Sequence, residues 1–158
     1  MKKITSFTID HTKLLPGLYV SRKDTIGDEV VTTFDLRLCK PNSGTELGTA
    51  EIHTIEHIAA THLRNDREWG NKIIYFGPMG CRTGFYFIAA GDYNSLDVWP
   101  LVCECFEYIS HYDDYIPGAS PKECGNYLDL DLSLARVCAK NYLEVLRDIN
   151  VKQLVYPG

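Results

Sequence analysis

Residues 49–63 constrain the fold more than any other stretch. Ile52, Ile55, Ala59 and Leu63 recur at helical spacing, which predicts an amphipathic helix from Thr49 to Leu63 with one apolar stripe facing a core. His53 and His57 lie nearly opposite that stripe. Four residues turn a helix by about 400°, so the two imidazoles project within about 40° of each other and can reach one metal ion. Glu56 falls about 60° to the other side of His53. A carboxylate beside a Lewis acid, but not needed as its ligand, points to catalysis. The alternative is a pair of core histidines with satisfied hydrogen bonds. His62 projects towards the apolar side and makes a poor third ligand.

The motif does not choose a reaction by itself, because zinc peptidases also use H-x-x-E-H. Composition narrows the classes. A chain of 158 residues is long enough for one core, so one domain over residues 1–158 is expected. The net charge is −5 and no basic run is present, which argues against nucleic acid or an anionic membrane as partner. No apolar run is long enough for a membrane span. Met1-Lys2-Lys3 is not followed by an apolar stretch, so no signal peptide is read and a cytoplasmic location is expected. Cys39, Cys81, Cys103, Cys105, Cys124 and Cys138 should then be mostly reduced. No C-x-x-C pair occurs, which argues against a zinc ribbon or a thioredoxin-type site. Cys103 and Cys105 do not share a helical face, and with Cys138 they read as packing residues.

The rest of the pattern mixes strands and helices without a βαβ rhythm. Residues 29–39 alternate: Val30, Phe34, Leu36 and Leu38 take one face, and Thr33, Asp35, Arg37 and Cys39 the other. Lys40-Pro41-Asn42-Ser43-Gly44 ends that strand. Residues 72–76 and 84–90 read as further strands, joined by a glycine-containing turn that carries Cys81. A helix is expected over about residues 95–112, but Pro100 is tolerable only in a first turn, which leaves the start of that helix open. After a loop over residues 113–129, Asp131 can cap a last helix that buries Leu134, Cys138, Tyr142, Val145 and Ile149. The expected fold is α+β: a mostly antiparallel sheet with helices packed on one face.

Two histidines leave a divalent ion under-ligated. Cys124, in the turn-prone segment Glu123-Cys124-Gly125-Asn126, is either the third ligand, leaving one tetrahedral position open, or an inert loop thiol. Cys81 lies between glycines and next to Arg82. It reads either as a thiolate favoured by a neighbouring cation or as a small buried hydrophobe.

Five blocks together resemble one family. Asp10-His11-Thr12-Lys13, Phe34 through Asn42, His53 through His57, Pro78 through Tyr86, and Glu123 through Tyr127 are similar, in order, to the signature blocks of the S-ribosylhomocysteine lyase (LuxS) family. The resemblance implies a homodimer with sites at the subunit interface, in the bacterial cytoplasm, serving the activated methyl cycle. The implied reaction cleaves S-ribosyl-L-homocysteine to L-homocysteine and 4,5-dihydroxy-2,3-pentanedione, the precursor of the quorum-sensing signal autoinducer-2. The implied metal is Fe(II), one per subunit, with Zn(II) or Co(II) as substitutes. Its ligands would be His53, His57 and Cys124. Cys81 and Glu56 would be the acid/base pair, with Ser6, His11 and Arg37 near the substrate and some of these supplied by the partner.

One position departs from that pattern. Many members of the family carry an acidic residue, a hydrophobe and a serine ahead of Pro78, where this chain has Tyr75-Phe76-Gly77. Tyr75 cannot supply the negative charge. Two competing readings remain. A zinc metallopeptidase would use Glu56 to activate water and would leave Cys81 without a role. A metal-stabilised, non-catalytic module would close the fourth coordination position.

Overall fold

In the computed structural model, which describes all of residues 1–158, four strands form one antiparallel sheet. They are β1 (Gly17–Ile26), β2 (Glu29–Arg37), β3 (Ile73–Pro78) and β4 (Gly84–Ala90), in the order β1-β2-β4-β3. Three helices accompany them: α1 (Thr49–Arg64), α2 (Ser95–Ser110) and α3 (Leu132–Arg147). The architecture is the α+β arrangement expected from the sequence.

The core lies between one face of the sheet and the helices. Phe34 and Leu36 of β2 sit opposite Phe87 and Phe85 of β4, and Phe76 of β3 stacks on Phe85 at 5.0 Å. Ile52, Ile55, Ala59 and Leu63 of α1, Val102 and Phe106 of α2, and Ala139, Tyr142 and Leu146 of α3 close over this face. Burying each large apolar side chain contributes about 1.5–3 kcal/mol. The apolar stripe of α1 is therefore used as expected. It fixes the helix so that His53 and His57 are half-buried on the side away from the sheet.

Nothing in the sequence alternation predicts β1, yet its ten residues form the longest strand. Its pairing with β2 shifts register between Val20 and Arg22, so no two-residue period runs through it. The surviving signal is its exit: Gly27, at φ +63°, and Asp28 close a two-residue hairpin onto β2.

Two helices depart from their expected details. α2 starts at Ser95 although Pro100 lies inside it, beyond the first turn. Pro100 and Leu96 are exposed, so the Leu96 carbonyl that the proline leaves unpaired faces water. α3 is capped by Asp131, whose Oδ1 accepts from the Leu134 backbone N–H at 2.9 Å. Its buried face is Ala135, Ala139, Tyr142, Leu143 and Leu146, and Leu134 is 48% exposed. Ala135 and Ala139 are fully buried in the core, so this face packs inward instead of the one led by Leu134. Cys138 and Val145 pack at the core's edge, and Ile149 lies past the helix end.

The second face of β2 also differs from a plain solvent-facing row. Thr33, Asp35 and Arg37 are buried within this chain. Tyr156, near the C-terminus, packs over Asp35, stacking on Tyr19 at 4.9 Å and donating to Asp35 Oδ2 at 2.7 Å.

Candidate metal centre and reactive thiol

α1 and the loop before α3 converge on one cluster. His53 Nε2 and His57 Nε2 lie 3.0 Å apart, and Cys124 Sγ is 3.4 Å from His53 Nε2. All three donor atoms fall within 4.8 Å of one another. Around a tetrahedral ion with bonds of about 2.05 Å to nitrogen and 2.3 Å to sulfur, the matching separations are about 3.3 and 3.6 Å. The loop thiol is thus brought to the histidine pair, and a tetrahedral ion held by three protein donors would have its fourth position left for water or substrate.

The backbone around the cluster aims these donors. His53 Nδ1 lies 2.8 Å from the Asp129 carbonyl oxygen, and His57 Nδ1 lies 2.6 Å from that of Pro117. Carbonyls accept only, so each Nδ1 carries the proton and each Nε2 presents a lone pair. Two lone pairs facing each other at 3.0 Å repel unless a cation lies between them. The donor set therefore fits a divalent ion. The Asn126 backbone N–H points at Cys124 Sγ from 3.4 Å, as suits a thiolate ligand. Gly118, at φ +70°, lets the loop pass the His57 ring, since a Cβ there would meet Nδ1 at 3.3 Å. Glu56 is half-buried on the same turn of α1, and none of the chain's ion pairs engages it.

A second cluster surrounds Cys81, which is exposed on the β3–β4 turn. Arg82 in that turn adopts φ +60°, a strained conformation of the kind found where a side chain must be aimed. Cys81 Sγ lies 3.1 Å from Thr83 Oγ1 and 3.8 Å from Arg37 Nη1. Arg37 Nη1 donates to Thr83 Oγ1 at 2.7 Å, which leaves the threonine hydroxyl proton free to donate to the sulfur. Burial pushes the Cys81 thiol up, but the hydrogen bonds from Thr83 and the charge of Arg37 outweigh it, and its pKa falls below the ordinary 9.0.

The cation beside Cys81 is therefore Arg37. Arg82, its neighbour in sequence, turns away and donates to the Leu47 carbonyl at 3.1 Å. Burial raises the other affected thiols: Cys39 and Cys105 upward, and Cys103 and Cys138 to about 11. Arg37 is held by Asp35, which accepts from Nη2 at 2.6 Å and from Nε at 3.1 Å.

His11 lines a cavity of about 380 Å³ with Glu46, Cys81, Arg82 and Thr83. Its Nδ1 lies 2.9 Å from the Ile9 carbonyl oxygen. Ser6 is half-buried in a 3₁₀ turn, Thr5–Phe7. None of the three metal-cluster residues lines the Cys81 cavity, so seven of the eight residues singled out from the sequence fall into two groups, Cys81, His11 and Arg37 in one and His53, His57, Cys124 and Glu56 in the other. Sequence reasoning missed Asp35, Thr83 and Tyr156. Thr83 sits two residues from Cys81 and was within reach of a local reading, whereas Tyr156 meets Asp35 only through the fold.

All six cysteines are free, and no helix is long and apolar enough to cross a membrane. The family model described as S-ribosylhomocysteinase (LuxS) matches residues 4–153. A relative from Clostridium beijerinckii named S-ribosylhomocysteine lyase is 54% identical over 159 aligned positions, covering 100% of both chains. Relatives with the same name from Finegoldia magna and Borreliella burgdorferi are each 55% identical, covering 99% of this chain and at least 99% of their own. These relatives carry the name of a lyase, and none that of a peptidase.

Proposed function

The chain belongs to the S-ribosylhomocysteinase (LuxS) family, and from that premise we propose that it cleaves the thioether of S-ribosyl-L-homocysteine to L-homocysteine and 4,5-dihydroxy-2,3-pentanedione. The observation that supports this most is the pairing of a three-donor metal cluster with a thiol whose pKa is lowered. A peptidase needs the first and has no use for the second.

His53, His57 and Cys124 hold the ion, with Fe(II) the metal proposed and Zn(II) or Co(II) as substitutes; a divalent ion bound there supplies a Lewis acid for the sugar oxygens. The chain's own residues move the protons. The Cys81 thiolate and the Glu56 carboxylate take a proton from one sugar carbon and return it to the next, which carries the carbonyl from C1 to C2 and then to C3. With the carbonyl at C3 the C4 proton is acidic. Its removal expels homocysteine thiolate from C5 by β-elimination, and no water is consumed. Arg37 and Thr83 keep Cys81 in the form that accepts a proton. His11, Ser6 and the remaining Arg37 N–H are proposed to meet the substrate's hydroxyls and carboxylate.

The separation of the two clusters supports a homodimer in which Cys81 and His11 of one subunit face the metal and Glu56 of the other. The location proposed is the cytoplasm, and the roles proposed are the activated methyl cycle and supply of the autoinducer-2 precursor. The substrate ammonium is then held without a carboxylate at position 75, where Tyr75 is 46% exposed. The test is to offer the metal-loaded protein S-ribosylhomocysteine and a panel of peptides. Release of a free thiol with peptides left intact supports the lyase; peptide cleavage without thiol release overturns it.

A further inference from the structure

We propose that Tyr156 is a positioning residue for the Cys81 thiolate, acting through Asp35 and Arg37. The proposal rests on the reading of Cys81 as a proton-transfer group. The connection is continuous. The Tyr156 hydroxyl donates to Asp35 Oδ2 at 2.7 Å. The same carboxylate accepts from Arg37 Nη2 at 2.6 Å and Nε at 3.1 Å. Arg37 Nη1 then reaches Thr83 Oγ1 at 2.7 Å and Cys81 Sγ at 3.8 Å. Asp35 is fully buried and Arg37 is 2% exposed, so bulk water cannot replace a missing partner and each donor counts.

Asp35 and Arg37 stand two residues apart on one strand face, and a pair that close can meet in more than one rotamer. A third contact from outside the strand selects one of them. Tyr156 supplies that contact, its ring fixed by stacking on Tyr19 at 4.9 Å. Burial, then the Asp35 charge, pushes the Tyr156 phenol upward, so it stays a donor at working pH. Without the hydroxyl, Oδ2 lacks one of its two donors. The carboxylate draws the guanidinium closer, and Nη1 withdraws from Thr83 and the thiol. The other groups around Cys81 are Cys39 after β2, His11, Glu46 and Arg82, and none of them bonds to Tyr156.

The test measures the iodoacetamide alkylation rate of Cys81 against pH in the metal-loaded holoenzyme, with the site read by peptide mass spectrometry. Tyr156→Phe should move the midpoint up, with about three-fold less alkylation at a pH below both midpoints, where each unit of pKa changes the thiolate fraction ten-fold. Deleting residues 156–158 should move it at least as far. Tyr19→Phe removes a hydroxyl that donates only to the Leu15 carbonyl, and its profile should match that of the unmodified protein with metal content unchanged. A Tyr156→Phe profile superimposed on the unmodified one, or an equal shift from Tyr19→Phe, overturns the proposal. Failure of the lyase reading would appear separately, as absent turnover in the unmodified protein with this profile unaffected.

Discussion

At the scale of residues, Arg37 and Cys81 set the pH behaviour. The Cys81 thiol is the one whose pKa is lowered, while Cys103 and Cys138 are raised to about 11. Below pH 9, the ordinary thiol value, a limiting dose of iodoacetamide should label Cys81 before Cys103, Cys105 or Cys138. A lowered folded value means that the thiolate's contribution to stability is complete above the ordinary value and is lost as pH falls through the lowered one. The melting-temperature gap between the unmodified protein and Cys81→Ala should therefore narrow on acidification. The division of labour gives a second expectation. Cys124→Ala should lose metal and activity together, as measured by elemental analysis and thiol release. Cys81→Ala should keep its metal and lose about 10²-fold or more in turnover. The histidine pair was legible from spacing alone, because a helix fixes where i and i+4 point. Cys124 was not, because a loop has no such rule, and its role came through the resemblance. The cation beside Cys81 was misplaced for the same reason: Arg82 is adjacent in sequence, but the turn sends it to Leu47 and the sheet delivers Arg37.

At the scale of elements, the sheet and turn geometry carry the thiol to Arg37. Gly84 of β4 pairs with Arg37 of β2, and a Cβ there would run into the Leu36 carbonyl oxygen. Gly84→Ala should force the strands apart, lowering the melting temperature sharply and raising the alkylation midpoint of Cys81. Gly27→Ala is the contrast. Its Cβ would meet nothing, and only its φ of +63° is strained, so it should lose about 1–2 kcal/mol with the Cys81 profile unchanged. β2, β4 and α1 were readable because β2 and β4 pair without a register shift and the apolar stripe of α1 is continuous. β1 was not, because the register shift after Val20 scrambles its alternation. The buried face of α3 was misjudged by favouring Leu134, when helix packing selects Ala135 and Ala139.

At the scale of the whole molecule, the central claim is that one active site takes the metal and Glu56 from one subunit and Cys81 from its partner. Arg37→Ala is a poor probe of it. Leaving Asp35 buried without its cation would cost on the order of 3–5 kcal/mol and blur any loss of chemistry. Cys81→Ala and Glu56→Gln are cleaner, since neither side chain belongs to the Asp35–Arg37 pair. The decisive measurement is homocysteine release after these two variants are unfolded and refolded together, anaerobically and with metal. Each alone should be nearly inactive. Random pairing makes about half the dimers mixed, with one doubly damaged and one intact site in each, so activity should return to roughly a quarter of the unmodified level. No recovery, with subunit exchange demonstrated, would mean that each subunit builds its site alone and would contradict the account.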